Sequence, residues 1–367
     1  MEQAILDSIT QAVLGAALQG TLLGRLQGRR ALAYGAALAT VPDLDVVIQY
    51  ADPVSQMTYH RGFSHSIFVL TGLALLLAWG VGWLTRRRRP EGYSWPRLFI
   101  AFWLVLVTHP LLDAFTVYGT QLFWPLTSTP LSWAAVFIID PIYTLPLLAT
   151  VGYAAWRGTG TGARRAMAVA LIFGTAYLAF GLGARMTVER RFEQALHAQG
   201  IASSQVRAVP VAFNSLLWRV LVKTPEGGYY EGIASLFDRQ PAPLQSLPRH
   251  PELAEALRDA PLHQRLRWFT DDWLRYDVID GALIVTDLRM GLPGSYNFRF
   301  AMAHRDALGQ WRVDTPSRWR DMGARSMFDG GDLGLLWRRI FDPTVHLPLQ
   351  AWAARAQASP PASQAIP

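Results

Sequence analysis

The chain has 367 residues, 51% of them hydrophobic and 17% charged, against roughly 25% charged in an ordinary soluble protein. That balance excludes a disordered, collagen-like or small disulfide-stapled protein and leaves room for roughly two domains. The formal charge is +7, and there is no cysteine, so a disulfide framework, a thiolate zinc site and a cysteine nucleophile are excluded.

The charge is unevenly spread. Residues 1–186 hold 13 arginines and 8 acidic residues, whereas residues 187–367 hold 21 basic and 19 acidic ones, Lys223 being the only lysine of the chain. The first half is poor in charge and the second has ordinary soluble composition. The net positive charge therefore does not mark a basic nucleic-acid-binding domain.

In chain order, residues 4–23 are apolar except for Asp7, and residues 31–48 are interrupted only by Pro42-Asp43-Leu44-Asp45. Ile67 to Leu84 is uncharged, 98–115 is apolar up to His109 and beyond, 132–156 is apolar except for Asp140, and Ala166 to Ala184 is uncharged again. These lengths approach what a helix needs to cross a bilayer. They predict a polytopic α-helical membrane bundle of about six segments, some of them re-entrant, over residues 1–185. Six such segments exceed what a buried soluble core needs. Glu2, Asp7 and the lack of a basic n-region speak against a cleaved signal peptide.

The arginines orient this bundle. Arg25, Arg29 and Arg30 follow the first segment, Arg86 to Arg89 and Arg97 follow the third, and Arg157, Arg164 and Arg165 follow the fifth. The intervening loops, about 49–64 and 116–131, contain only Arg61 as a basic residue. The positive-inside rule places the arginine-rich loops in the cytoplasm of a multi-pass protein of the cytoplasmic (inner) membrane. Both termini and the second half of the chain are then extracytoplasmic. Arg86 to Arg89 reads as a stop-transfer and headgroup patch.

Under that topology Asp7, Asp43, Asp45, His60, His65, His109, Asp113 and Asp140 all fall at the outer face. Ionisable groups in such places are costly and usually functional. His109 and Asp113 are four apart and share a helix face, so both could ligate one divalent ion, or Asp113 could orient His109. His60 and His65 flank Gly62 in a turn entering a helix. The candidate metal ligands are Asp43, His60, His65, His109 and Asp113, and zinc is the first choice of ion, with manganese as the alternative. Asp45 or Asp140 could accept a proton from an attacking water, but Asp140 before Pro141 equally suits a helix N-cap, and Asp7 could cap the first helix. Arg61 either holds an anionic substrate or pairs with a carboxylate. No dinucleotide, P-loop, nucleophile-elbow or HExxH motif is present.

The segments DSITQAVLGAALQG (7–20), PDLD (42–45), HRGFSHS (60–66), HPLLDAFTVYGTQLFWP (109–125) and IIDPIYTLP (138–146) together resemble the YdjM-type family of inner-membrane, metal-dependent hydrolases. The resemblance covers residues 1 to about 185. It implies metal binding at Asp43, His65, His109 and Asp113, with His60 and Asp45 as further candidates. The pattern is also distantly similar to the zinc-dependent phospholipase C and P1-nuclease group, which implies phosphoesters. The chain departs from the family pattern at Gln11, where relatives carry His after the early Thr, so the resemblance assigns no ligand or proton shuttle there. Longer members also carry a soluble tail resembling residues 187–350.

In the second half, residues 186–204 predict an amphipathic helical linker. Leu216 to Thr224 and Gly228 to Phe237 predict a hairpin around Pro225 to Gly227, and Pro251 to Thr270 a helical stretch. Leu274 to Val278, Ala282 to Asp287 and Tyr296 to Met302 predict short strands. The expectation is an α+β soluble domain with an antiparallel sheet over 205–353, then a disordered tail over 354–367. The aromatic runs at Trp268-Phe269 and Trp273 to Tyr276 read first as core, and otherwise as a cover over the membrane site.

These observations predict a metal-dependent hydrolase at the outer face of the cytoplasmic membrane, acting on an amphiphilic substrate with a lipid phosphoester foremost. Membrane lipids are the expected partners, nucleic acid is not, and protein partners are unknown. The alternative is a non-enzymatic metal-binding, sensor, scaffold or transport protein. A transporter calls for polar residues spread through the membrane depth, and here they gather at one side.

Overall fold

A computed structural model describes residues 2–87, 92–319 and 330–355. The Asp7 side chain, Arg88, Arg89 and the tail after Arg355 lie outside the described residues. The chain divides into two compact units. One comprises Met1–Ile48, Tyr59–Leu182 and Ala212–Asn214, the other Gln49–Thr58, Gly183–Val211 and Ser215–Pro367.

Helices dominate the first part of the chain: α1 (Glu2–Gln27), α2 (Arg30–Ala39), α3 (Pro53–Tyr59), α4 (Ile67–Leu84), α5 (Trp95–Ala114), α6 (Pro141–Arg157) and α7 (Thr161–Ala198), with 3-10 turns at Pro42–Val47 and Phe63–His65. Three of them, α4, α5 and α7, are long and apolar enough to cross a membrane. Among the described residues this is a membrane-associated helical region with three apolar spans, and the expected bundle of about six is not established. The second expected segment ends early, because Pro42 has no N–H with which to extend α2. The 10 residues of α2 reach only about 15 Å at 1.5 Å per residue, half of a hydrocarbon core about 30 Å thick. The fifth segment also shortens: residues 132–140 are not helical, and α6 begins at Pro141 behind the Asp140 N-cap. Proline suits that first position, since its missing N–H would have no partner there.

Close backbone approach holds α1 against α2. A Cβ added to Gly15 would lie 2.4 Å from the Gly35 carbonyl oxygen, and one added to Gly35 would lie 2.2 Å from that of Gly15. Leu14, Ala17, Leu147 and Met167 bury a core shared by α1, α6 and α7. In the α4–α5 hairpin Leu70, Ala74 and Ala78 pack on Leu98, Ala101 and Leu106. The other side of α4 leaves Leu76 and Trp79 about two-thirds exposed (66% and 64%), as a lipid-facing surface requires.

The two ends of this unit differ in chemistry. At one end Gln27 donates to the Tyr93 hydroxyl, Arg29 to the Trp156 carbonyl and Thr159 to the Gly24 carbonyl. These contacts gather the arginine-bearing turns, where Arg86 stacks over Trp83 and Arg157 over Trp156. The candidate His and Asp residues lie at the opposite end of α4 and α5.

α7 runs unbroken for 38 residues, about 57 Å by helical rise, almost twice a hydrocarbon core. The predicted linker at 186–204 is thus mostly its continuation to Ala198. Here Val188, Phe192 and Leu196 pack on Trp218, Val220 and Val222. The second unit is built on β1 (Gln205–Pro210), β2 (Leu217–Lys223), β3 (Tyr229–Ser235), β4 (Gln245–Ser246), β5 (Leu274–Ile279), β6 (Ala282–Asp287), β7 (Gly291–Leu292), β8 (Ser295–Tyr296), β9 (Arg299–Arg305) and β10 (Trp311–Arg318), with helices α8 (Pro261–Thr270), α9 (Gly330–Phe341) and α10 (Leu349–Arg355). The order is β1-β2-β3-β4 in one antiparallel sheet and β10-β9-β6-β5 in another, with β7 and β8 paired apart. The β2–β3 hairpin has Lys223 opposite Tyr229, the turn anticipated at Pro225 to Gly227. β1, β10 and α9 were not anticipated. β1 carries an arginine, and β10 arginines, Asp314 and Pro316, which weaken their strand signal; they form edge strands by pairing with β2 and β9, β10 with a register shift between Val313 and Ser317.

Candidate metal centre

Four side chains meet at the end of the α4–α5 hairpin. His109 and Asp113 project from consecutive turns near the end of α5, His65 ends the 3-10 turn before α4, and Asp43 enters from the 3-10 turn after α2. One ligand atom from each lies within 4.8 Å of all the others. His65 Nε2 is 3.4 Å from Asp43 Oδ1 and 3.2 Å from Asp113 Oδ2, while His109 Nε2 is 3.3 Å and 3.4 Å from the same two oxygens. The imidazoles of His65 and His109 meet edge-on with centroids 5.1 Å apart.

Two features show that this donor set fits a cation. His65 Nε2 and Asp113 Oδ2 are buried and make no hydrogen bond, a costly state for polar atoms. His109 Nδ1 lies 2.6 Å from the Ala39 carbonyl, which can only accept, so Nδ1 carries the proton. A neutral His109 therefore turns its Nε2 lone pair towards the carboxylates, an arrangement that needs a proton or a cation at its centre. Two imidazole nitrogens and two carboxylates form a set that zinc and related divalent ions accept. Burial disfavours the charged imidazole of His65, but the carboxylates of Asp113 and Asp43 outweigh it and push its pKa up to about 9. Burial would likewise raise Asp43, yet His109 and His65 hold it well below the usual carboxylate range.

The surrounding groups hold this quartet in place. Asp113 Oδ1 receives Gln11 Nε2 at 3.0 Å and pairs with Arg61 Nη2 at 3.3 Å, leaving Oδ2 for the centre. Gln11 also donates to the His109 carbonyl. Arg61 adopts a positive φ of 61°, uncommon for a side-chain-bearing residue, and its N–H reaches Asp45 Oδ2 while its carbonyl accepts from Gln121. The next residue must be small, because a Cβ on Gly62 would lie 2.7 Å from the Tyr59 carbonyl oxygen.

The remaining expected site residues fall outside the quartet. His60 turns Nδ1 to Asp45 Oδ1 at 2.9 Å and packs edge-on to Tyr118. Asp45 accepts from His60, Ser64 Oγ and the Arg61 N–H. Asp140 caps α6 through the Ile142 N–H and accepts the Tyr177 hydroxyl at 2.8 Å. Of its two suggested roles the structure displays the cap. Arg61 is 3% exposed and pairs with a carboxylate, the second of the two roles left open for it. Gln11, Ser64 and the Ala39 carbonyl were not expected at the site. Only Gln11 had a signal, its place at a departure from the pattern that the resemblance implies.

Residues 6–188 match the family model described as YdjM inner membrane protein. The chain belongs to the YdjM family. This YdjM-family chain is also 26% identical over 312 residues to the uncharacterized protein YfhP of Bacillus subtilis (strain 168), covering 80% of this chain and 89% of the relative. An alignment of that length must also include much of the second half. No solved structure matches the chain.

Proposed function

We propose that this YdjM-family protein is a metal-dependent hydrolase working at the outer face of the cytoplasmic membrane on an amphiphilic substrate, a lipid phosphoester being the leading choice. The observation that carries the reading is the quartet Asp43, His65, His109 and Asp113, with two buried, unbonded donor atoms at the end of apolar helices. Zinc is the proposed ion. When bound, such an ion supplies Lewis acidity and makes a neighbouring water more acidic.

The protein's own groups account for the rest. Asp43 is the most exposed of the four side chains, at 19% against 1% or less for the others, so the approach lies on its side. Leu44, Val46 and Val47 follow it as exposed residues, and Phe63, Phe68, Phe123 and Trp124 are exposed around the neighbouring turns. Phe63 and Trp124 meet edge-on. Such a rim suits a headgroup presented with its chains still in a bilayer. We assign proton uptake to His60 Nε2, because Asp45 engages Nδ1 in the manner that orients a base. Asp45 thereby moves from direct acceptor to partner.

Elemental analysis of the full chain purified in detergent tests the metal. Near-stoichiometric zinc, manganese or a similar ion is expected in the wild type and is lost in His109→Ala and Asp113→Ala. A metal-free wild type sinks the reading. With metal present, a panel of phosphodiesters and phospholipids separates an enzyme from a metal-binding sensor. His60→Gln should keep the metal and lose turnover by about 10²–10⁴-fold, the usual contribution of a positioned base.

A further inference from the structure

The turn that delivers His65 also contains a serine that the metal reading leaves without a role. Ser64 Oγ lies 2.7 Å from Asp45 Oδ2 and 2.9 Å from His65 Nδ1. A hydroxyl has one proton to give and lone pairs to accept with. The carboxylate of Asp45 can only accept, so the serine proton goes to Asp45. His65 must then supply the proton of the second bond, from Nδ1. Once the ring is neutral, as a metal ligand must be, Nε2 is then the lone pair, and that is the atom 3.2 Å from Asp113 Oδ2 and 3.4 Å from Asp43 Oδ1.

Asp45 is itself held from three sides. Its Oδ1 takes His60 Nδ1, and its Oδ2 takes the Arg61 N–H at 3.2 Å as well as Ser64. The Arg61 backbone is fixed in turn by Gln121 N–H on its carbonyl. The carboxylate is thus a rigid anchor from which the hydroxyl can fix one proton on one ring nitrogen. His109 reaches the same state by a different route, its Nδ1 held by the Ala39 carbonyl.

We infer that Ser64 is a positioning residue, which, anchored on Asp45, locks His65 with Nδ1 protonated and Nε2 directed to the metal. The inference rests on the metal reading above and adds the device that orients one ligand. Outer partners of this kind typically change metal affinity by about 10–100-fold.

Cobalt(II) is the probe, added to full-length, metal-stripped protein in detergent, with affinity read by chelator competition and ligand geometry by the visible d–d bands. Ser64→Ala should raise the cobalt dissociation constant about 10–100-fold and shift the bands. Ser64→Thr, which keeps a hydroxyl, should restore both, a rescue that a packing role would not produce. Asp45→Asn should act in the direction of Ser64→Ala, since an amide offers only one accepting atom. Wild-type affinity and bands in Ser64→Ala overturn the assignment while leaving the metal site standing. A wild type that binds no cobalt overturns the metal reading, and this inference with it.

Discussion

His65 carries the clearest pH signature of the centre. Its pKa is pushed up to about 9 in the folded, metal-free protein, so its favourable contacts contribute fully below the ordinary histidine value. They fade as the pH rises through about 9. A divalent ion competes with that proton, which reverses the sign for binding. Cobalt affinity should therefore climb about tenfold per pH unit below 9 and level off above it. A flat profile there would contradict one displaced proton. Lys223 offers a second test, in the soluble unit. Burial, with Arg249 nearby, pushes its ammonium down to about 8 although Asp272 and Asp271 oppose the shift, and it stacks over Trp273. Between about 8 and the ordinary lysine value the unfolded chain holds a proton that the folded one has released, so stability should rise with pH across that window. Because Lys223 is the only lysine, carbon-13 lysine labelling yields one resonance, and its midpoint should fall near 8. A midpoint above 10 would sink the argument.

The α1–α2 pair shows how helix packing reaches the quartet. A Cβ on Gly15 would stand 2.4 Å from both the Gly35 carbonyl oxygen and Ala39 Cβ, and the Ala39 carbonyl is the partner of His109 Nδ1. Gly15→Ala should destabilise the protein by about 1–3 kcal/mol through overpacking and weaken metal binding as well. Gly72 of α4 meets nothing within 4 Å of an added Cβ. Gly72→Ala should be neutral or stabilising by up to about 1 kcal/mol, with metal content unchanged. Thermal melting followed by fluorescence, paired with elemental analysis, distinguishes the two variants. Equal behaviour would show that the close approach does not matter to the site.

For the protein in its membrane, the arginine-bearing turns and the metal quartet lie at opposite ends of the α4–α5 hairpin. By the positive-inside bias, the proposed orientation has the quartet outside the cytoplasm. The absence of native cysteine makes this simple to test. Leu126→Cys, at a position 79% exposed beside the quartet's end, should react with an impermeant maleimide on intact cells. Arg86→Cys should react only after permeabilisation. The reverse pattern would turn the molecule over and remove the proposed access to outer-leaflet lipids.

Much of this was legible in the chain itself. The i, i+4 spacing of His109 and Asp113 places both on one helix face whatever packs around it, and the uncharged runs behind α4 and α7 have no other stable setting than an apolar one. Asp43 and His65 were legible as candidates by residue type and by resemblance. The failures share a cause. Residues 31–48 and 132–156 are apolar enough for longer helices, but Pro42 and the Asp140-Pro141 cap divide them, and hydropathy averages over such breaks. His60 falls outside the quartet because local sequence cannot say which of two neighbouring polar groups turns inward.

Composition and arginine placement alone determined that the first half belongs with lipid and which of its loops share a side, because desolvation and membrane bias act on residue types irrespective of fold. The proton on His109, the serine between Asp45 and His65, and the division of labour among three aspartates depend on atoms from distant segments meeting within hydrogen-bond range. Only the packing of α1, α2 and α5 around the turns at 42–47 and 63–65 decides those, since a hydrogen bond is lost with a shift of about 1 Å.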